Sequence, residues 1–151
     1  MSAITACLGL FAVAFVAATL FPLQSEAALV GLMAAEAAPV AVLVAVASLG
    51  NLLGSCVNWV LGLYVERFRD RRWFPVGPAM LARAQRWYGR YGRWSLLLSW
   101  MPVIGDPLTV VAGVMREPFW RFAAVVAVAK TLRYVFIAAV AGGWLATRSA
   151  G

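Results

Sequence analysis

Glu26, Asp106, Lys130 and Arg133 are ionisable residues set in apolar surroundings, two acids and two bases whose charges cancel. Each costs roughly 2.5–3.5 kcal/mol at the centre of a membrane helix on insertion scales, so each needs a partner or a task. Lys130 and Arg133 stand three residues apart and share one helical face. Paired carboxylates can share and exchange a proton, and paired cations can hold a phosphate. Chemistry that needs other groups finds little here. The chain has no histidine, and it offers no nucleophile–base pair and no metal-ligand set. No enzyme activity, cofactor or metal is therefore expected. Cys7 and Cys56 lie in apolar segments without partner spacing and read as small packing residues.

The elements that hold these residues are membrane elements. The 151 residues are 64% hydrophobic and 13% charged, with a mean hydropathy of +0.84. A soluble globule is about half apolar and a quarter charged, so the solvent of this single domain is mostly lipid. Pro39 to Tyr64 runs without a charge, and about 20 helical residues cross a hydrocarbon core. Glu117 to Thr147 is apolar apart from Arg121, Lys130 and Arg133. The N-terminal apolar stretch lacks the basic n-region of a signal peptide, and Pro22 with Glu26 is a poor exit from one, so it reads as part of the membrane domain.

Eight of the thirteen basic residues fall between Arg67 and Arg93, against Glu66 and Asp70 alone. The positive-inside rule places this linker in the cytoplasm. Arg83, Arg86, Arg90 and Arg93 recur within about 80° of one helical face, with Leu81, Ala84, Tyr88 and Tyr91 roughly opposite. Two readings stand: an interfacial helix touching anionic headgroups, or a solvated topology signal. Nucleic acid is not an expected partner.

The two halves echo each other. "TLFPLQSEAALVGLM" and "SWMPVIGDPLTVVAGVM" each place a proline four residues before an acid; Pro22 with Pro102, Glu26 with Asp106 and Gly62 with Gly142 share one offset. Trp94 to Val103 and Pro107 to Met115 are each about half a bilayer long. Pro102 and Pro107 break helical hydrogen bonding, and Gly105 permits a tight turn between two half-helices. A re-entrant hairpin tip holding Pro22, or Pro102, Gly105 and Pro107, explains both units; one kinked spanning helix is the competing reading. The expected fold is an all-α integral membrane protein of two inverted repeats. Each repeat is a re-entrant helical hairpin plus a spanning helix: repeat 1 over about 1–64, a basic amphipathic cytoplasmic linker over 65–93, and repeat 2 over about 94–147. Broken helices meeting at the midplane are a transporter architecture.

Asn51, Ser55 and Asn58 form a polar face on the first spanning helix. They serve either a cavity or helix–helix adhesion, and Gly50 with Gly54 forms a small-residue packing pair beside them. Trp73, Trp87, Trp94, Trp100, Trp120 and Trp144 lie near segment ends as interface anchors, and Trp59 is internal packing.

"FPLQSE", "GNLLGSCVNWVLG", "RYGRWSLLLSWMPVIGDPLTVVAGVMR" and "AKTLRY" together resemble the YqaA branch of the DedA membrane-protein superfamily, also called VTT-domain or SNARE-associated. The resemblance covers nearly the whole chain. It implies two opposed re-entrant hairpins plus spanning helices in the bacterial inner membrane. It also implies a link to lipid scrambling, recycling of undecaprenyl phosphate, or maintenance of proton motive force. Glu26 matches the family's acidic residue near the first hairpin, and Asp106 belongs to the YqaA branch pattern. Mainstream members carry Arg-Phe-x-Pro-x-x-Arg in the second hairpin. Here Pro102 matches, but Ser99 and Gly105 occupy the arginine positions, so those arginines do not carry over.

Three functions follow. The first is a transporter or scramblase for an anionic lipid or polyprenyl phosphate, with Lys130 and Arg133 holding phosphate and Glu26 and Asp106 giving proton coupling or counter-charge. The second is a small-ion or proton antiporter using the same acids. The third is a membrane organiser without transport. Membrane lipids and protons are the expected partners, and self-association into a homo-oligomer stays open.

Overall fold

The computed structural model describes residues 2–19, 24–64, 77–101 and 104–149, and every regular element among them is helical. In chain order these are α1 (Ala3–Thr19), α2 (Gln24–Ala34), α3 (Val40–Leu63), α4 (Pro78–Tyr91), a 3-10 helix (Gly92–Trp100), α5 (Gly105–Val114) and α6 (Phe119–Ser149). Two helices are long and apolar enough to cross a membrane, Val40–Leu63 and Phe119–Thr147 within α6. Pro22, Pro102, Trp73 and the linker over 65–76 lie outside the described residues.

Helix α2 folds back on α1: Thr5, Ala6 and Leu10 face Ala28, Gly31 and Leu32 across one shallow cleft. The 3-10 helix and α5 make a second such pair. The first helix of each pair, its first limb, lies along the following long helix, α1 on α3 and the 3-10 helix on α6; α2 and α5 are the second limbs. Second limbs reach across, since α5 packs along α3 and α2 touches α6 as well as α3.

Lipid tails are as apolar as leucine, so close approach rather than water exclusion holds these helices together. A Cβ on Gly50 or Gly54 would meet the backbone of Phe11 or Phe15 in α1. Gly62 and Gly113 sit against each other where α3 crosses α5: a Cβ on either would strike the carbonyl of Val110 or of Trp59. Buried side chains form one cluster around Leu10, Leu29, Leu43 and Tyr134 and another around Leu96, Leu108, Val111 and Phe122.

Several expectations are corrected. The α-helix expected from Trp94 is instead part of a 3-10 helix over Gly92–Trp100; at about 2 Å rise its nine residues reach about 18 Å, still close to half a bilayer. Gly105 is no turn residue. It begins α5, and only glycine fits because a Cβ there would strike the Ser99 backbone of its own partner limb. Pro107 occupies the first turn of α5, where its missing N–H has no intrahelical partner to lose. On α4, Ala84 and Tyr88 are buried as expected. Tyr91, expected opposite the arginines, instead lines a cleft with them.

The two second limbs end alike. Glu36 and Arg116, at φ 49° and 52°, are the non-glycine residues with positive φ among those described. Glu36 N–H donates to Met33 O and Ala37 N–H to Leu32 O, both at 3.1 Å; Arg116 N–H donates to Gly113 O and Glu117 N–H to Ala112 O, both at 2.9 Å. Both are Schellman caps, and their residues stand at the offset that relates Glu26 to Asp106. One residue fewer then separates the cap from the next proline, Pro39 in one half and Pro118 in the other. The buried positions of the long helices follow this shifted register: Leu43, Ala47, Asn51, Ser55 and Gly62 on α3 answer to Phe122, Val126, Lys130, Tyr134 and Ala141 on α6. Gly62 therefore corresponds to Ala141, not to Gly142, around which a Cβ would find open space.

Candidate functional site

Each second limb begins with an acid in its first turn, Glu26 in α2 and Asp106 in α5. The unpaired N–H groups of a helix start favour negative charge by about 0.3–1 kcal/mol, which eases a carboxylate into this setting. Helix α6 supplies the opposite charges from one face. Lys130 Nζ lies 3.0 Å from Asp106 Oδ1, and Arg133 Nη2 pairs with Glu26 Oε1. The first pair is the more enclosed, with Lys130 1% and Asp106 16% exposed against 5% and 27% for Arg133 and Glu26. Beside them the Tyr134 hydroxyl donates to Ser25 Oγ at 2.9 Å. Asp106, Arg133 and Asn51 all lie within electrostatic reach of that hydroxyl.

The polar face of α3 is buried throughout. Asn51 Nδ2 donates to Ala14 O at 3.2 Å, and Asn58 Nδ2 to Ala18 O at 2.8 Å and to Thr109 Oγ1 at 3.2 Å. Thr109 in turn donates to Asp106 O at 2.6 Å, and Ser55 to Asn51 O within its own helix. These donors tie α1, α3 and α5 together, which is the adhesion role. Their acceptors are another matter. Asn51 Oδ1, Asn58 Oδ1, Ser48 Oγ and Ser99 Oγ are buried without a protein hydrogen-bond partner among the described residues.

An apolar groove of about 560 Å³ runs between the 3-10 helix and α6, lined by Leu97, Trp100, Ala129, Leu132 and Phe136, with Arg133 in its wall. Leu97, Trp100, Leu132 and Phe136 are exposed, so the groove opens where lipid would lie. Arg133 thus borders both Glu26 and the apolar groove. On α4 a second cleft, of about 310 Å³, is lined by Arg83, Arg86, Arg90, Trp87 and Tyr91; the Arg93 side chain is outside the described residues. Trp59 packs on Phe119 and Phe122 and also donates to Glu117 O at 3.1 Å. Among the described residues no group of three His, Cys, Asp or Glu side chains is placed to hold a metal.

The structure thus brings Glu26, Asp106, Lys130 and Arg133 into two ion pairs, sets Asn51 near them, and leaves the α4 arginines apart. Sequence reading passed over Ser25, Tyr134 and Thr109. Ser25 and Tyr134 directly flank Glu26 and Arg133 in the chain, and that adjacency was the available signal. Thr109 had none, because its contact with Asn58 depends on how α5 crosses α3.

A family model described as the VTT domain matches residues 4–143. The chain is 39% identical over 139 residues to the "Inner membrane protein YqaA" of Escherichia coli (strain K12), covering 92% of this chain and 93% of that protein. It is 30% identical over 133 residues to an uncharacterized protein of Haemophilus influenzae, covering 83% and 81%. No solved structure matches the chain.

Proposed function

The chain belongs to the VTT-domain family as an integral protein of the bacterial inner membrane, and from that premise we propose that it moves an anionic lipid or polyprenyl phosphate across the bilayer. The observation that carries this reading is the lipid-facing groove with Arg133 in its wall. A chain lying along Leu132 and Phe136 brings a phosphate to the guanidinium, whose planar fork suits it. The phosphate displaces Glu26, and the freed carboxylate takes up a proton or turns to its own helix start. Arg133 exchanges one anion for another and is never left bare, which is what keeps the passage inexpensive.

The proposed architecture is two inverted repeats with re-entrant hairpins, over about 1–64 and 94–147, joined by a cytoplasmic linker. Its supports are the fold-back of α2 on α1, the matched Schellman caps, and the matched burial of α3 and α6. A second reading has one observation in its favour. Asp106 and Lys130 do not line the groove, and their enclosure suits proton or small-ion exchange.

Purified protein in liposomes with fluorescent phosphatidylglycerol in both leaflets separates the two. Lipid transfer exposes the inner-leaflet probe to an external quencher, and Ala129→Trp, which fills the groove, stops it. Proton flux without lipid movement contradicts the lipid reading.

A further inference from the structure

Helix α4 has two unlike faces. Ala84 and Tyr88 are buried in the cluster formed with α5 and α6, and the Tyr88 hydroxyl donates to Glu117 Oε2 at 2.8 Å. Glu117 lies just before α6, and its carbonyl takes the Trp59 indole N–H. One residue therefore ties α4 to both long helices, and the helix is held rigidly enough to present its other face.

That face is exposed and cationic. Arg83, Arg86 and Arg90, with Trp87 and Tyr91, line the cleft of about 310 Å³. The two rings lie 5.4 Å apart, and the Arg90 guanidinium stands 5.8 Å from the Tyr91 ring centre. Neither Arg83, Arg86 nor Arg90 has a carboxylate partner among the described residues, where both ion pairs lie elsewhere. Three guanidinium groups gather at a concave surface with no carboxylate among the described residues to pair with them.

We propose that this cleft is a binding site for the phosphate of an anionic phospholipid headgroup, separate from the groove at Arg133 and independent of whether the protein transports lipid. The chemistry selects phosphate because guanidinium forks bind its oxygens in pairs. The setting selects a lipid. Trp87 and Tyr91 are residues that settle at headgroup depth, and a basic amphipathic helix next to spanning helices lies at that depth with its arginines towards the anionic surface. Ring stacking against Arg90 orients the fork that a mobile surface arginine would leave free. Such a site holds the protein in an anionic lipid shell.

The test is native mass spectrometry of the full chain in detergent with added phosphatidylglycerol, phosphatidylcholine or inorganic phosphate. Wild type retains phosphatidylglycerol in preference to phosphatidylcholine. Arg83→Gln, Arg86→Gln and Arg90→Gln combined lowers that preference by about 100-fold, about five-fold for each arginine. Replacing all three with lysine keeps charge without the fork and restores part of it. All three side chains are exposed, so unchanged thermal unfolding accompanies the loss. The proposal is overturned if the glutamine triple retains phosphatidylglycerol as wild type does, or if lysine restores nothing. Complete displacement of phosphatidylglycerol by millimolar inorganic phosphate also overturns it, by assigning the cleft to a free anion.

Discussion

Lys130 Nζ meets Asp106 Oδ1 at 3.0 Å, one helical turn before Arg133 takes Glu26. One face of α6 therefore satisfies an acid from each second limb. Removing one partner of a buried ion pair leaves a bare charge and costs about 3–5 kcal/mol, whereas replacing both is close to neutral. Asp106→Asn and Lys130→Met should each lower stability by about that amount in detergent unfolding, and the double variant should recover most of the loss. Additive losses would mean that the two side chains do not act as a pair.

Where α3 crosses α5, Gly62 and Gly113 leave no room for a methyl group. Gly62→Ala and Gly113→Ala should cost about 1–3 kcal/mol through forced separation of the helices. Gly142→Ala, with open space around it, should be neutral or gain up to about 1 kcal/mol from helix propensity. Comparing the three melting curves checks the crossing, since equal effects at all three sites are incompatible with it.

Topology is accessible to single cysteines placed at Gln85, Trp94 or Met115, all exposed, in a chain where Cys7 and Cys56 are replaced by alanine. A hairpin between the 3-10 helix and α5, with a basic linker inside, places all three in the cytoplasm. An impermeant maleimide should miss them in spheroplasts and reach them after the membrane is opened. Labelling of Met115 alone in sealed spheroplasts would make residues 94–115 a kinked spanning segment.

Much of this was legible because lipid imposes simple rules. The uncharged run from Pro39 to Tyr64 became α3, the apolar run from Glu117 to Thr147 became most of α6, and charges within apolar sequence became ion pairs, since hydrocarbon leaves each few alternatives. Pairing was not legible: Lys130 and Arg133 share a face, and which acid each meets depends on the reach of α2 across to α6. The matched caps were hidden because Glu36 and Arg116 adopt a conformation that sequence reading reserves for glycine or asparagine. Tyr91 was set opposite the arginines although it lies four residues after Trp87, on a neighbouring face of α4, where the two rings stand 5.4 Å apart.

In the proposed passage the Glu26–Arg133 pair opens to admit an anionic headgroup. Glu26→Gln with Arg133→Gln removes both charges and leaves no bare ion, so this double variant should fold and melt close to wild type. In liposomes carrying fluorescent phosphatidylglycerol, wild type should expose the inner-leaflet probe to an external quencher. The double variant should match protein-free vesicles. A folded double variant that moves the lipid at the wild-type rate would rule out passage through this pair.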